Sequence, residues 1–303
     1  MYASTLPKEN LAAALSQYSY PPSSVTVQRL TDEHRDEVLA FLAARPIHTF
    51  GLAGFVRDNG LVSPHNRGIF YACRNADGDL EGVALIGHFI LFEARSAEAI
   101  AAFARVAQQC STAFLLLGEE ENVQAFWHYY SPGGQSVHLY CRELLFELNG
   151  PVAVRESVPG LRLATMDDLD LIVPAHAETA FIESGIDPLE TDPEGFRARC
   201  ARRIEMGKTW VWTENAKLMF KAEIVSDTPD VIYLEGVWVH PDERGKGYGS
   251  SCISQLCRTF LQRTQSVCIL VNEKFKAAQA VYRKAGFSFI SYYDTVFMKQ
   301  KVH

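Results

Sequence analysis

The sequence predicts a mixed α+β fold, a mostly antiparallel central sheet with flanking helices, laid out twice along the chain. Three observations lead there. Short apolar or alternating runs bounded by turn residues interleave with segments of helical period. The same order of elements recurs in both halves around two similar short segments, Gln124-Ala-Phe-Trp127 and Gln279-Ala-Val-Tyr282, each on a short helix after an apolar strand. The chain is 303 residues long, 48% hydrophobic and 21% charged, so each half can bury a core of its own.

Residues 1–24 read as a lead-in that ends at Pro21-Pro22-Ser23-Ser24. The alternation from Val25 to Arg29 is a strand, and Thr31 or Asp32 can cap a helix with Val38, Leu39, Phe41 and Leu42 on its apolar face. Glycines from Thr49 to Gly68 read as a loop region. Ile69–Cys73 and Leu80–Ala94 are strands on either side of the turn signal Asn75-Ala-Asp-Gly78. Ala97–Gln109 is helical, Ala113–Leu117 a strand, Asn122–Tyr130 a short helix and Leu139–Leu148 a strand. Asn149-Gly150-Pro151 marks the boundary, giving domains at 25–150 and 151–303.

In the second half Leu161–Leu163 is a strand, and Asp167 opens a helix that runs through His176. Pro193–Met206 is a helix whose arginines 197, 199, 202 and 203 form a solvated face. Trp210–Trp212 and Leu218–Val225 pair antiparallel. Strands 231–239 and Val267–Val271, helices 250–263 and Lys276–Lys284, and a last strand pair within Phe287–Met298 complete the half.

The most informative segment is Arg244-Gly245-Lys246-Gly247-Tyr248-Gly249. It comes after the strand Val231–Val239 and precedes a helix with Ile253, Leu256, Cys257, Phe260 and Leu261 on one face. Alternating glycines allow positive φ and close approach of a ligand to the backbone. The helix start then offers unpaired N–H groups and the positive end of a dipole to an anion. Arg244 and Lys246 add charge. Strand, glycine loop and helix together form a site for a phosphate or diphosphate.

These residues, with the downstream Tyr282-Arg-Lys-Ala-Gly286-Phe287, resemble the GNAT superfamily of acyl-CoA-dependent N-acetyltransferases. The likeness covers roughly residues 160–300: Arg244 to Gly249 meet the family's [Q/R]-x-x-G-x-[G/A] loop. The two halves together are similar to a tandem-domain subgroup whose N-terminal GNAT-like domain is degenerate, with Phe41-Leu-Ala-Ala-Arg-Pro46, Phe126-Trp127 and Phe220-Lys-Ala-Glu223 among the matching residues. The resemblance implies acetyl-CoA as co-substrate. Its pantetheine would lie along Val237, Trp238 and Val239, with its diphosphate on the amides from Gly245 through Lys246, Gly247, Tyr248 and Gly249 to Ser250. Tyr282 would face the thioester sulfur. Family members commonly read V-N-x-x-N-x-x-A; here Asn272 keeps the first asparagine and Phe275 replaces the second.

The implied reaction is direct attack of a primary amine on the acetyl thioester in a ternary complex. It needs a base for the amine proton, donors for the oxyanion and an acid for the departing thiolate. Tyr282 suits the acid, although a core aromatic with its hydroxyl at a rim has the same sequence signature. Glu235 is the first candidate for the base and Glu223 on the neighbouring strand the second. By the two-residue period Tyr233, Glu235, Val237 and Val239 share one face, which suits a base acting through one water. Glu235 can equally be paired with a cation on the sheet. Trp210, Trp212 and Trp238 read as packing aromatics before pocket walls.

The acceptor is an amine, on a small molecule or a protein, and the chain is expected to work as a monomer or a homodimer. A net charge of −7 argues against nucleic acid as partner. No eighteen-residue apolar run marks a membrane span. Seven cysteines without CxxC spacing and nine scattered histidines give no metal motif, so no metal is expected and a reducing, cytoplasmic setting is. A non-catalytic, acyl-CoA-responsive regulatory module would share the glycine loop. A dinucleotide-binding fold is the weaker rival, since no acidic residue on a following strand accompanies the glycines.

Overall fold

The computed structural model describes residues 24–299, so the lead-in expected at the N-terminus lies outside the described residues except for Ser24. The described chain divides into two compact units, one running to Leu144 and resuming at Ser291, the other Leu145–Ile290. Most of the last strand, from Ser291 on, thus falls in the first unit, whereas a boundary at Asn149–Pro151 keeps 151–303 together. The reason is the ladder: residues Tyr293–Phe297 of the C-terminal strand pair antiparallel with Leu115–Glu119.

The first unit contains β1 (Thr26–Arg29), α1 (Arg35–Leu42), α2 (Pro46–Asn59), β2 (Gly68–Arg74), β3 (Leu80–Gly87), β4 (Phe89–Ala94), α3 (Ala97–Ala107), β5 (Leu115–Glu119) and α4 (Glu120–Tyr130). It also holds most of β6 (Val137–Leu148) and β12 (Ser288–Met298). Its strands run in the order β1-β2-β3-β4-β5-β12-β6. The β1–β2, β2–β3, β3–β4 and β5–β12 pairs are antiparallel, and β4–β5 is parallel. Alternation along β3 explains two cores. Val83 and Leu85 join Val38, Phe41, Leu42, Leu52 and Val56 of α1 and α2. Ala84 and Ile86 join Phe103 of α3 and Phe126, Trp127 and Tyr130 of α4.

Two sequence expectations change here. The glycine-rich stretch from Thr49 begins inside α2, not in a loop. Pro46 supplies a preset φ at the first turn, buried Phe50, Leu52 and Val56 anchor the helix, and Gly51 leaves contact room for Leu91. Packing outweighs the cost of two helical glycines, about 1 kcal/mol each. The expected final strand pair is one continuous strand, β12.

The second unit contains β7 (Leu161–Leu163), α5 (Leu169–Ser184), α6 (Pro188–Thr191), α7 (Pro193–Glu205), β8 (Thr209–Glu214), β9 (Lys217–Asp227), β10 (Val231–Val239), α8 (Tyr248–Phe260), β11 (Ser266–Asn272) and α9 (Lys276–Ala285). Its strands run β11-β10-β9-β8-β7; β10–β11 is parallel and the others are antiparallel. Ile172, Val173, Phe196, Cys200 and Ile204 of α5 and α7 pack on Val211 and Leu218. The apolar face of α8 is buried, and Phe260 meets Trp210 edge-on at 5.8 Å. Helix α5 continues through Pro174 and past His176, the end expected from sequence, until Gly185 adopts φ 73° and its N–H bonds Phe181 O. The structure therefore has the predicted mixed α+β architecture with mostly antiparallel sheets. Among the described residues no helix is long and apolar enough to cross a membrane.

Phe126 is fully buried and stacks on Phe92 at 5.0 Å. Phe126→Ala is expected to cost about 3–5 kcal/mol in urea unfolding; a loss below about 1 kcal/mol contradicts this picture of the core.

Candidate active site

The site grows from the path of β10. Its parallel ladder with β11 runs from Val231↔Ser266 to Leu234↔Ile269 and ends there, although both strands continue. On its other side β10 pairs Glu235 with Glu223 but Trp238 with Lys221. Three steps on β10 thus oppose two on β9, a β-bulge at Gly236–Val237. Gly236 has φ 57°, and a Cβ there would lie 3.0 Å from Lys221 Nζ. Only glycine fits both demands. The bulge also corrects the expected face: Glu235 is in register with Trp238, through Glu223 and Lys221 on β9, and not with Val237 and Val239. An unbroken two-residue period does not survive the extra residue.

Beyond Val239 a short turn at Pro241–Glu243 leads to the glycine loop. Gly245 has φ 83° and Gly247 φ 93°, and both face open space. Gly247 is the N-cap of α8 and no side chain caps the helix, so the first-turn amides of Tyr248, Gly249 and Ser250 have no intrahelical partner. Gly249 is held close, since a Cβ would meet Val239 Cγ2 at 3.2 Å. The Tyr248 ring packs edge-on against Trp212 at 5.0 Å. Lys246 pairs with Glu243 at 2.9 Å. The Arg244 guanidinium donates to Val239 O at 3.1 Å and to Glu178 Oε1 at 3.4 Å, while Trp238 Nε1 donates to Glu178 Oε2 at 2.8 Å. Glu178 thereby ties the loop to the end of β10.

A buried ionic group underlies Glu235. Glu223 and Lys221 are both fully buried. Lys221 Nζ lies 3.0 Å from Glu223 Oε1 and 3.1 Å from His176 Nδ1, and donates to Gly236 O at 3.1 Å. Arg203 pairs with the other oxygen of Glu223, and His176 stacks on Phe196 at 5.2 Å. Despite burial, the Arg203 guanidinium, His176 and Lys221 hold the Glu223 carboxyl well below the usual carboxylate range. Desolvation pushes the His176 ring down to about 3, so it is neutral. An ammonium has donors only, so Nδ1 accepts and the ring proton belongs on Nε2. Glu235 is shifted the other way: burial raises it above the ordinary value, reinforced by Glu223 and opposed by Arg203 and Lys221. The environment separates two neighbouring carboxylates into a fixed anion and a proton acceptor. Arg203 is correspondingly not part of a solvated face, whereas Arg197 and Arg199 do form outer pairs with Asp170 and Asp192.

Tyr282 on α9 is buried, packs edge-on against Phe287 at 5.8 Å, and has its hydroxyl raised by burial and by Glu183. Asn272 Oδ1 accepts from the Lys274 amide at 2.9 Å, an Asx turn, while Phe275 at the N-cap of α9 makes no side-chain cap. Cys252 and Cys257 on α8 are buried, with thiols pushed up to about 12. Neither supplies a thiolate near neutral pH. Among the described residues no group of three or more histidine, cysteine or acidic side chains is placed to hold a metal.

The related place in the first unit is built differently. The β4–β5 ladder also ends early, at Ile90↔Leu116. There Arg45 bridges the strands, bonding Glu93 of β4 and Glu119 of β5 with Nη1 and Nη2 at 2.9 and 2.8 Å. Ser96 caps α3 by accepting from the Ala99 amide at 3.3 Å. A side chain thus occupies what α8 leaves to its backbone.

Sequence reading singled out the glycine loop, Glu235 and Tyr282 but missed Gly236, Lys221, His176 and Arg203 as a connected set around Glu223, and Glu178 as the tie to the loop. The available signal was Phe220-Lys-Ala-Glu-Ile224. Charges alternating inside an apolar strand need buried counter-charges.

Residues 177–287 match the acetyltransferase (GNAT) family model. A UPF0039 protein of Schizosaccharomyces pombe is 30% identical over 84 residues, 28% of this chain and 56% of that protein; the chain spans about half the length of this relative. Among solved structures, a GNAT-family acetyltransferase from Colwellia psychrerythraea aligns over 91% of this chain and 99% of its own, with a TM-score of 0.59 and 13% identity. A Drosophila protein aligns over the same shares with a TM-score of 0.67 and 13% identity. A tandem GNAT protein from the clavulanic acid biosynthesis pathway aligns over 92% and 99%, with a TM-score of 0.56 and 13% identity. At these identities the likeness is one of fold.

The opposed carboxylates give opposite stability effects. Glu223, depressed in the folded state, contributes stability above its unfolded pKa of about 4.3 that is lost as pH falls through the folded value. Glu223→Gln is expected to cost about 3–5 kcal/mol near neutral pH, because Lys221 and Arg203 lose their counter-ion. Glu235, raised, opposes folding when ionised. Glu235→Gln should raise the melting temperature at pH 8, with the gain vanishing toward pH 4. Thermal melts at both pH values check this, and a loss of stability at pH 8 for Glu235→Gln contradicts it.

Proposed function

We propose that this chain, whose residues 177–287 match the acetyltransferase (GNAT) family model, is an acyl-CoA-dependent N-acetyltransferase acting on a primary amine by direct attack. The observation that carries the reading is the uncapped start of α8 behind Gly245 and Gly247, next to a strand that has left its neighbour. Amides from Gly245 to Ser250 suit the coenzyme diphosphate. The unpaired edge of β10 at Val237, Trp238 and Val239 suits the amide groups of pantetheine, in the manner of an added strand.

In this reading Glu235 takes the amine proton through a water, the amine nitrogen bonds the acetyl carbon, and the Val237 N–H receives the developing oxyanion. The carbon–sulfur bond then breaks and the thiolate takes the Tyr282 hydroxyl proton. Glu235 is preferred to Glu223 as base because Glu223 is committed to Arg203 and Lys221. The buried, high-pKa thiols of α8 fit transfer without an acyl-cysteine. Seven free cysteines fit a reducing, cytoplasmic setting. The first unit, with its β4–β5 gap bridged by Arg45, is read as a degenerate GNAT-like domain that binds no coenzyme.

The test is free-thiol release from acetyl-CoA over a panel of small amines and peptides, with coenzyme affinity measured separately by calorimetry. Tight coenzyme binding without thiol release for any amine would support a non-catalytic acyl-CoA-responsive module. Gly247→Val is expected to abolish coenzyme binding with the fold retained, since a β-branched residue is strained at φ 93° and crowds the cradle. Unchanged affinity removes the loop from the site. Tyr282→Phe should lower kcat more than coenzyme affinity, and equal kcat removes it from the reaction. The rate should fall on acidification through a pKa above the usual glutamate value, and Glu235→Gln should abolish that limb.

A further inference from the structure

Lys221 has no role in the steps above, yet it is a fully buried cation on a central strand. Taking an ammonium out of water costs several kcal/mol unless every donor is satisfied. Lys221 hydrogen-bonds with His176 Nδ1 and Gly236 O, each at 3.1 Å, and has Glu223 Oε1 as its ion-pair partner at 3.0 Å. Two of these partners hold the ammonium in place. The third is the carbonyl of the bulge residue, in the left-handed region, on the strand proposed to bind the acyl donor. A trans peptide is planar, so the Gly236 C=O and the Val237 N–H point in opposite directions. Val237 falls inside the bulge and has no partner in the register with β9, and the β11 ladder has already ended. Holding one end of this peptide therefore sets the direction of the other.

We propose that Lys221 is a positioning residue for acyl transfer: it holds the Gly236 carbonyl and so aims the Val237 N–H at the thioester carbonyl oxygen. The inference rests on the N-acetyltransferase reading of β10. Glu223 and His176 act one shell further out, holding the ammonium that holds the peptide. Glu223 with Arg203 supplies charge balance, and the neutral His176 ring offers a lone pair where a charged ring would repel. A glycine at 236 is needed on the same ground, since a Cβ would lie 3.0 Å from the ammonium and press on it.

The test uses the full chain and acetyl-CoA labelled with ¹³C at the carbonyl. In the wild type, infrared difference spectra of the bound thioester should show the carbonyl band below its position in free acetyl-CoA, reporting the hydrogen bond without need of an acceptor. Lys221→Met keeps the length of the side chain and removes the donors. It should return the band to the free position and lower kcat about 100-fold, the scale of one lost oxyanion donor. Coenzyme affinity should stay within about threefold, since the diphosphate cradle is untouched. Lys221→Met/Glu223→Gln removes both fully buried charges and leaves Arg203, whose side chain is 32% exposed, to water; it should behave alike and keeps the test open if the single variant fails to fold. A retained shifted band with wild-type kcat in either folded variant overturns the proposal, as does an unshifted band in the wild type. If the wild type fails to bind acetyl-CoA, the transferase reading has failed and this inference falls with it. Binding with a shifted, Lys221-dependent band but no turnover would sustain the positioning role and sink only the enzymatic one.

Discussion

The second unit depends on one local constraint: β10 must leave β11 after Leu234 while staying paired with β9. A strand cannot do both with regular geometry, because adjacent strands stay about 4.8 Å apart only while their ladders match. The extra residue at Gly236–Val237 resolves the conflict by bending the strand, and a positive φ at Gly236 is the conformational cost. The bent peptide turns a carbonyl toward the helical side of the sheet, where a polar group without a partner would cost about 1–3 kcal/mol. Lys221 meets it, Glu223 meets Lys221, and Arg203 meets Glu223. A chain of necessities thus links a backbone irregularity to a buried ion network, whose cations hold Glu223 ionised while burial raises Glu235 beside it.

The first unit closes the same kind of interruption differently, with side chains bonded to one another across it. Its parallel strands also lose their ladder early, but Arg45 spans the opening and binds an acid on each side. His48 adds a contact to the Tyr293 hydroxyl at 3.0 Å and to Glu119 at 3.3 Å. Side chains satisfy one another across the gap, and the helix after β4 carries its own serine cap. An early end to a parallel ladder therefore does not by itself make a site. Chemistry rests on which polar groups are left for a ligand and which are consumed internally.

Much of this was legible in the sequence, for physical reasons that differ by element. The order of strands and helices came from apolar period, and the glycine loop from the need for positive φ beside a helix start. The helix from Pro46 to Asn59 was hidden because glycines at 51 and 54 signal a break locally, while their actual use is close packing. The C-terminal strand's placement in the first unit was hidden because strand pairing is long-range. Glu235 was singled out as a candidate, but its face was misassigned, since a bulge shifts register by one residue and leaves no mark in a two-residue period. The arginines of α7 looked alike in sequence; Arg203 meets a buried carboxylate, a matter of where Glu223 lies on a strand twenty residues on. Buried ion networks are read poorly from sequence because each member is explained only by the others.

The central claim is that main-chain amides after the bulge and at the start of α8 form one continuous surface for an acyl carrier. A crystal structure of the full chain with coenzyme A tests it most directly. The expected result is diphosphate on the amides of residues 245–250 and pantetheine hydrogen-bonded along residues 237–239, with the first unit empty. Coenzyme bound at the Arg45 bridge of the first unit, or a second unit left empty at saturating coenzyme, would contradict it.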